Sequence, residues 1–338
     1  MTGNSKSMLA ILLTLVLFFT APGCSYEDYA DPGDADNYNQ ANYRTADTSL
    51  TELAEHGDYI VLAFFEVDRG ELSVVYLPEL NDDMFDYYSD FLEYSFDELI
   101  AFQENLYTAE LLWDAVSGIF PQEYLHQIAY FEFFTDGTDD FLGAIEEVDS
   151  NQDAFIFSLD VSDMFYVNGE PNYPLLLDTI THELAHIITL GPGQVAWVEE
   201  EDSNPATYYI FEYDLDTKPE SYINQFFNNF WKDIYDEWAA FYYEYGVLYE
   251  GEEDLHAEYQ ETLQDYLDAF YYKYEDRFLT DYAATSPTED IAESFMIFAL
   301  QEKPRGSRIS DQKALFFYDY SELVEVRNHI QEYIKEIY

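Results

Sequence analysis

The chain has 338 residues, 70 Asp and Glu against 13 Lys and Arg, and a formal net charge of -57. That balance excludes a nucleic-acid-binding role, because such a surface repels phosphate backbones and anionic membranes and attracts cations or basic partners. Nearly half of the residues are apolar (48%), so the acidity belongs to a chain long enough to bury a core and not to a disordered acidic tail.

Residues 1–23 form a secretion signal: Lys6 precedes an apolar run from Met8 to Phe19 that is too short to span a bilayer, with small residues beyond it. Cys24 is the only cysteine, so no internal disulfide can form. The segment Ala21-Pro22-Gly23-Cys24 resembles a bacterial lipobox, although Pro22 and Ala21 depart from its usual residues. The resemblance implies lipidation at Cys24 and an exported, membrane-anchored lipoprotein. The alternative is an ordinary cleaved signal and a secreted chain. Residues 24–50, rich in Asp, Asn, Tyr, Ala and Gly, read as an acidic flexible tether.

The folded part starts near residue 51. Tyr59–Phe65 and Leu72–Tyr76 are apolar runs that periodicity leaves open between strand and short helix. From about Asp82 the pattern is helical, and Leu106–Ile119 reads as one helix closed by Pro121. Three strand-like runs follow, Gln127–Phe134, Leu142–Val148 and Ala154–Val161, and the last alternates loosely between apolar and polar residues. Asp136-Gly137-Thr138-Asp139-Asp140 lacks the spacing of a calcium loop and reads as a hairpin turn. A helix over about Leu175–Leu190 begins after Pro174 and stops at Gly191-Pro192. The order of helix, strands and helix is α+β.

Residues 193–280 read as mostly helical, with Ile223, Phe227, Phe230, Ile234, Trp238 and Phe241 at helical steps as a core-facing stripe, Gly246 as a stop, and a second helix over about Asp254–Tyr274. Ser286-Pro287-Thr288-Glu289 opens a helix to about Leu300, and a last helix covers about Ser321–Ile337. Two parts are expected: residues 51–191, α+β with the motif helix, and residues 192–338, largely helical.

The chemistry is concentrated in Thr181-His182-Glu183-Leu184-Ala185-His186, an H-E-x-x-H motif inside the helix ending at Leu190. Four residues advance a helix by slightly more than a turn, so the two imidazoles share a face and can share one Zn2+ ion. Glu183 lies about 100° round the helix and can serve as a base for metal-bound water. A third protein ligand is required, and the other four histidines offer no suggestive setting. Glu289 and Glu293 share a helix face, and Glu289 also fits a capping role that would leave Glu293 as the ligand. The run Glu199–Asp202 reads as a solvated loop.

A helix with H-E-x-x-H followed by a second helix with E-x-x-x-[DE] resembles the gluzincin metallopeptidases, more closely the lethal-factor type, in which a tyrosine lies seven residues before the ligand glutamate. The resemblance implies a zincin-like fold, His182, His186 and Glu289 as ligands of one zinc ion, Glu183 and Tyr282 as catalytic residues, and Glu293 as a carboxylate supporting the ligands. The stretch from Tyr130 to Phe295 is also similar to secreted bacterial metallopeptidases to which no substrate is attached. One departure is the span of 102 residues between His186 and Glu289, room for an inserted helical subdomain. The expected function is peptide-bond hydrolysis on a peptide or protein substrate. The edge strand along which the peptide lies is expected at Ala154–Val161. The alternative is an inactive zincin-shaped lipoprotein that acts as a binding module.

Overall fold

The computed structural model describes residues 59–78, 96–136, 141–148, 154–165, 169–198, 204, 207–210, 215–241 and 256–337. The signal at 1–23, Cys24, the tether at 24–50, the helical pattern at 82–95, most of the turn after Asp136, the run Glu199–Asp202 and Gly246 lie outside the described residues.

The architecture is mixed α and β. Strands β1 (Ile60–Asp68) and β2 (Glu71–Tyr76) form a hairpin, and helices α1 (Phe96–Glu104), α2 (Leu106–Ile119) and the one-turn α3 (Gln122–Leu125) follow. Next come β3 (Ile128–Thr135), β4 (Gly143–Glu147), β5 (Phe155–Asp160) and the long helix α4 (Tyr173–Leu190). The hairpin turn is Arg69-Gly70, both with positive φ (55° and 83°), which matches the right-handed twist of the flanking strands. Strand β1 is buried almost throughout because both sheet faces are covered: Ile60, Leu62, Ala63 and Phe65 join the main core, while Val61 and Phe64 join Tyr59, Phe134 and Ile156 in a smaller cluster.

The five strands run β2-β1-β3-β5-β4, and β3 and β5 are the one parallel pair. The edges of this sheet are therefore β2 and β4 and not Ala154–Val161, which corrects the expectation for that segment. The polar residues of β5 are buried: Ser158 donates to Glu132 Oε1 (3.0 Å), and Asp160 accepts from the Asp136 backbone N–H (2.8 Å). Strand β4 is only partly buried along its length. It lies close to α4 because Gly143 has no side chain, and a Cβ there would meet Ser158 O at 2.8 Å and Thr179 Cγ2 at 3.0 Å.

Residues 193–217 are also corrected, from helix to a second sheet of three antiparallel strands, β6 (Val195–Trp197), β7 (Tyr209–Ile210) and β8 (Leu215–Thr217), in the order β6-β8-β7. Strands of two or three residues are too short to show alternation. The aromatic stripe is split into α5 (Tyr222–Phe230) and α6 (Tyr235–Phe241) by a turn at Trp231–Ile234, and Ile223, Phe227, Ile234 and Trp238 are buried. Helices α7 (His256–Tyr274), α8 (Pro287–Leu300), α9 (Ile309–Phe316) and α10 (Ser321–Ile337) complete the chain, and α8 packs along α4. One core cluster joins residues of β1 through α10, so both halves of the chain contribute to it. Among the described residues no helix is long and apolar enough to cross a membrane.

Glu132 in β3 is 0% exposed, with hydrogen bonds from Tyr59 and Ser158 on Oε1. Burial, then the charge of Glu146, pushes its pKa from the ordinary 4.5 up to about 8. At neutral pH the folded state thus holds a proton that the unfolded state releases. This contribution to stability is complete below pH 4.5 and is lost as pH rises toward 8. Gln keeps the acceptor without the proton requirement. Glu132→Gln is therefore expected to raise stability near pH 7 on the order of 1–3 kcal/mol and to change little near pH 4. Urea unfolding at the two pH values checks this, and equal effects at both would refute it.

Candidate metal centre

Pro174 in the first turn starts α4 without a wasted N–H, and the Gly191 N–H closes it on Ile187 O. Leu176, Ile180, Leu184 and Ile187 are buried, which fixes the rotation of α4. That rotation sends His182 and His186 toward α8. Ser286 caps α8, its hydroxyl accepting from the Glu289 backbone N–H at 3.1 Å, and Pro287 occupies the first turn. The Glu289 side chain does not fold back on that cap. It reaches across to α4.

Three atoms converge. His182 Nε2 lies 3.0 Å from His186 Nε2 and 2.9 Å from Glu289 Oε2, and His186 Nε2 lies 3.5 Å from the same oxygen. The point equidistant from the three is roughly 1.8 Å from each, slightly less than a zinc–nitrogen bond of about 2.0–2.1 Å. Three donors at this spacing would hold one metal ion, with the two imidazoles and the carboxylate as its protein ligands. The largely buried group His182, His186 and Glu289 could hold a metal ion.

Glu293 stands apart from this triangle. Its Oε1 lies 2.7 Å from His182 Nδ1, and its Oε2 accepts from Thr280 Oγ1 at 2.8 Å. A carboxylate on Nδ1 keeps the proton there and leaves the Nε2 lone pair for a metal. Thr280 in turn accepts from the Ala283 backbone N–H at 3.0 Å, so the loop before α8 holds the carboxylate in place. His186 Nδ1 is buried and meets no hydrogen-bond partner among the described residues.

The electrostatics are those of a centre built around positive charge. Burial pushes His182 down, but the hydrogen bonds its ring donates to Glu289 and Glu293 outweigh it and hold the imidazole well above its ordinary range. Burial pushes Glu289 up, and the charge of His186 with hydrogen bonds accepted from both imidazoles brings it far below the usual carboxylate range. Such a cluster needs a proton or a cation at its middle. Glu183 is buried beside it, and burial, partly offset by the two histidines, pushes its carboxyl up to about 6. The Tyr282 ring sits 5.8 Å from the His182 ring, centroid to centroid.

Sequence reasoning did not reach the residues that hold α8. Asp290 Oδ2 accepts from Trp231 Nε1 (2.6 Å) and pairs with Lys313 Nζ (2.5 Å), and Trp238 Nε1 donates to Thr285 O at 2.9 Å. Two tryptophans from the segment between His186 and Glu289 thus fasten the start of the helix that carries Glu289. The only signal was Trp238 in the aromatic stripe, to which Trp231 does not belong. All six expected residues of this site lie together, whereas Cys24 falls outside the described residues. No family model matches the chain, and no curated protein or solved structure matches it.

Proposed function

We propose that the chain is a zinc-dependent metallopeptidase of zincin-like fold, holding one Zn2+ through His182, His186 and Glu289. The observation that carries this reading is the convergence of two helical imidazoles and a carboxylate with Glu183 beside them. Two imidazoles and one carboxylate are the donor set of a catalytic zinc site, whereas structural sites close all four positions. A bound zinc ion would polarise the scissile carbonyl and make water acidic enough to attack at neutral pH.

The other roles belong to the chain. Glu183 accepts the proton of the attacking water and passes it to the leaving nitrogen. Tyr282, beside His182, donates a hydrogen bond to the developing oxyanion. Glu293, braced by Thr280, holds His182 in the tautomer and orientation that ligation requires. The peptide lies extended along β4, the partly exposed edge nearest α4, where backbone pairing gives affinity independent of sequence. On this reading Cys24 carries a lipid anchor and the enzyme works at the outer face of the membrane on peptides or proteins.

Purified protein is expected to bind one zinc per chain and to cleave members of a peptide library. Chelation should remove both properties and zinc should restore both. Stoichiometric zinc without cleavage of any library member would favour the binding-module alternative, and no zinc at all would end the proposal.

A further inference from the structure

A second group of oxygen donors sits at the end of the five-stranded sheet, sharing no residue with the centre just described. Strands β3 and β5 are parallel neighbours, so their C-terminal ends emerge side by side, with Phe134 in register with Asp160. Asp136 follows β3, Asp160 ends β5, and Asp163 lies three residues further along the same turn. One carboxylate oxygen from each lies within 4.8 Å of the others. Asp160 is 0% exposed and Asp136 only 5%.

Backbone donors aim these carboxylates. Asp160 Oδ2 accepts from the Asp136 N–H (2.8 Å), and its Oδ1 accepts from the Ser162 N–H and hydroxyl (2.5 Å each). Asp136 Oδ2 accepts from the Phe141 N–H at 3.0 Å, while Asp136 Oδ1 is buried and meets no hydrogen-bond donor among the described residues. Among the described residues no Lys or Arg forms an ion pair with Asp136 or Asp160; burial pushes both carboxyls upward, and the charge of Asp160 adds to the rise at Asp136. Two buried carboxylates pressed against a third need a positive charge between them, either a shared proton or a cation.

The donor set chooses the cation. Oxygen ligands select hard ions, and calcium takes about six to eight oxygens in flexible, irregular geometry, as carboxylates from two strand ends and a turn would offer. Magnesium demands near-ideal octahedral geometry and is reluctant to give up its water, so it suits such an all-protein carboxylate cage less well. The linear spacing of Asp136–Asp140 does not form a calcium loop. The set assembled here comes from two strand ends brought together by the sheet.

We infer that Asp136, Asp160 and Asp163 bind one calcium ion, which ties the ends of β3 and β5 to the start of β4. The last link is direct: the Phe141 N–H is on Asp136, and the Asp160 N–H donates to Leu142 O at 3.1 Å, immediately before β4 begins. Calcium would thus stiffen the root of the edge strand without touching the histidine centre.

The test uses the full chain, freed of metal by chelation and held in concentrated NaCl so that its acidic surface does not collect ions. It is titrated with calcium by calorimetry and with terbium by luminescence. One ion per chain is expected, with a rise in melting temperature. Asp163→Asn and Asp136→Asn should each weaken binding about tenfold or more, and His182→Ala should leave it unchanged. Circular dichroism establishes that each variant is folded, and the partly exposed Asp163 keeps the test decisive if Asp136→Asn does not fold. The proposal is overturned if the parent chain takes up no stoichiometric calcium, or if neither Asn variant weakens the uptake. A parent that ignores calcium while Asp136→Asn gains stability as pH rises would assign the cluster to a shared proton.

Discussion

Glu183→Gln is expected to lower kcat/KM by about 10²–10⁴ while the protein still binds one zinc per chain. Gln fills the same volume and keeps a carbonyl acceptor, so α4 and the ligand triangle are undisturbed. It cannot accept a proton. The loss corresponds to about 3–5 kcal/mol of transition-state stabilisation, at 1.36 kcal/mol per factor of ten. Zinc content and kcat/KM measured on one preparation separate the outcomes. Zinc retained with activity lost supports the proposed base, and zinc lost together with activity marks a structural role. Full activity in the variant would remove Glu183 from the chemistry. His182→Ala serves as the contrast, because it should lose the metal as well as the rate.

The two histidines could be placed from the sequence because helical geometry is local. Residues four apart on α4 share a face whatever the rest of the chain does, and the stop at Gly191-Pro192 was also local. Glu289 was a different case. Its segment supported both a capping carboxylate and a metal ligand; Ser286 does cap the Glu289 backbone, but the Glu289 side chain turns to the imidazoles and not back to the cap. No linear signal predicts that division, so only the resemblance had ranked Glu289 above Glu293. Ala154–Val161 alternates only loosely between apolar and polar residues, and its polar Ser158 and Asp160 are satisfied by buried partners inside the sheet and not by an open edge. Thr280, Trp231 and Lys313 act across gaps of 13, 59 and 23 residues, where neither periodicity nor spacing carries information.

The last of these dependencies leads to the other large effect. Lys313 and Asp290 are each 0% exposed and 2.5 Å apart, with Trp231 Nε1 on the same Asp290 oxygen and the Phe278 ring 4.0 Å from the ammonium. Burial raises Asp290 to about 6 even with Lys313 beside it, and burial lowers Lys313. Both shifts show what desolvation costs, yet at neutral pH a carboxyl titrating near 6 is still ionised, and the short contacts are those of a charged acceptor. Lys313→Met would leave that charge buried with one neutral donor. A loss of about 3–5 kcal/mol is expected, the usual range for breaking a buried pair on one side. Adding Asp290→Asn removes the stranded charge and should recover at least half of the loss, because the neutral amide still accepts from Trp231. Urea unfolding of both variants, each compared at the same free zinc concentration because a bound ion adds its own stabilisation, measures the coupling. Since Asp290 adjoins Glu289, the single variant should also bind zinc more weakly than the double. Equal zinc affinity in the two would show that the ion pair supports the fold without positioning Glu289.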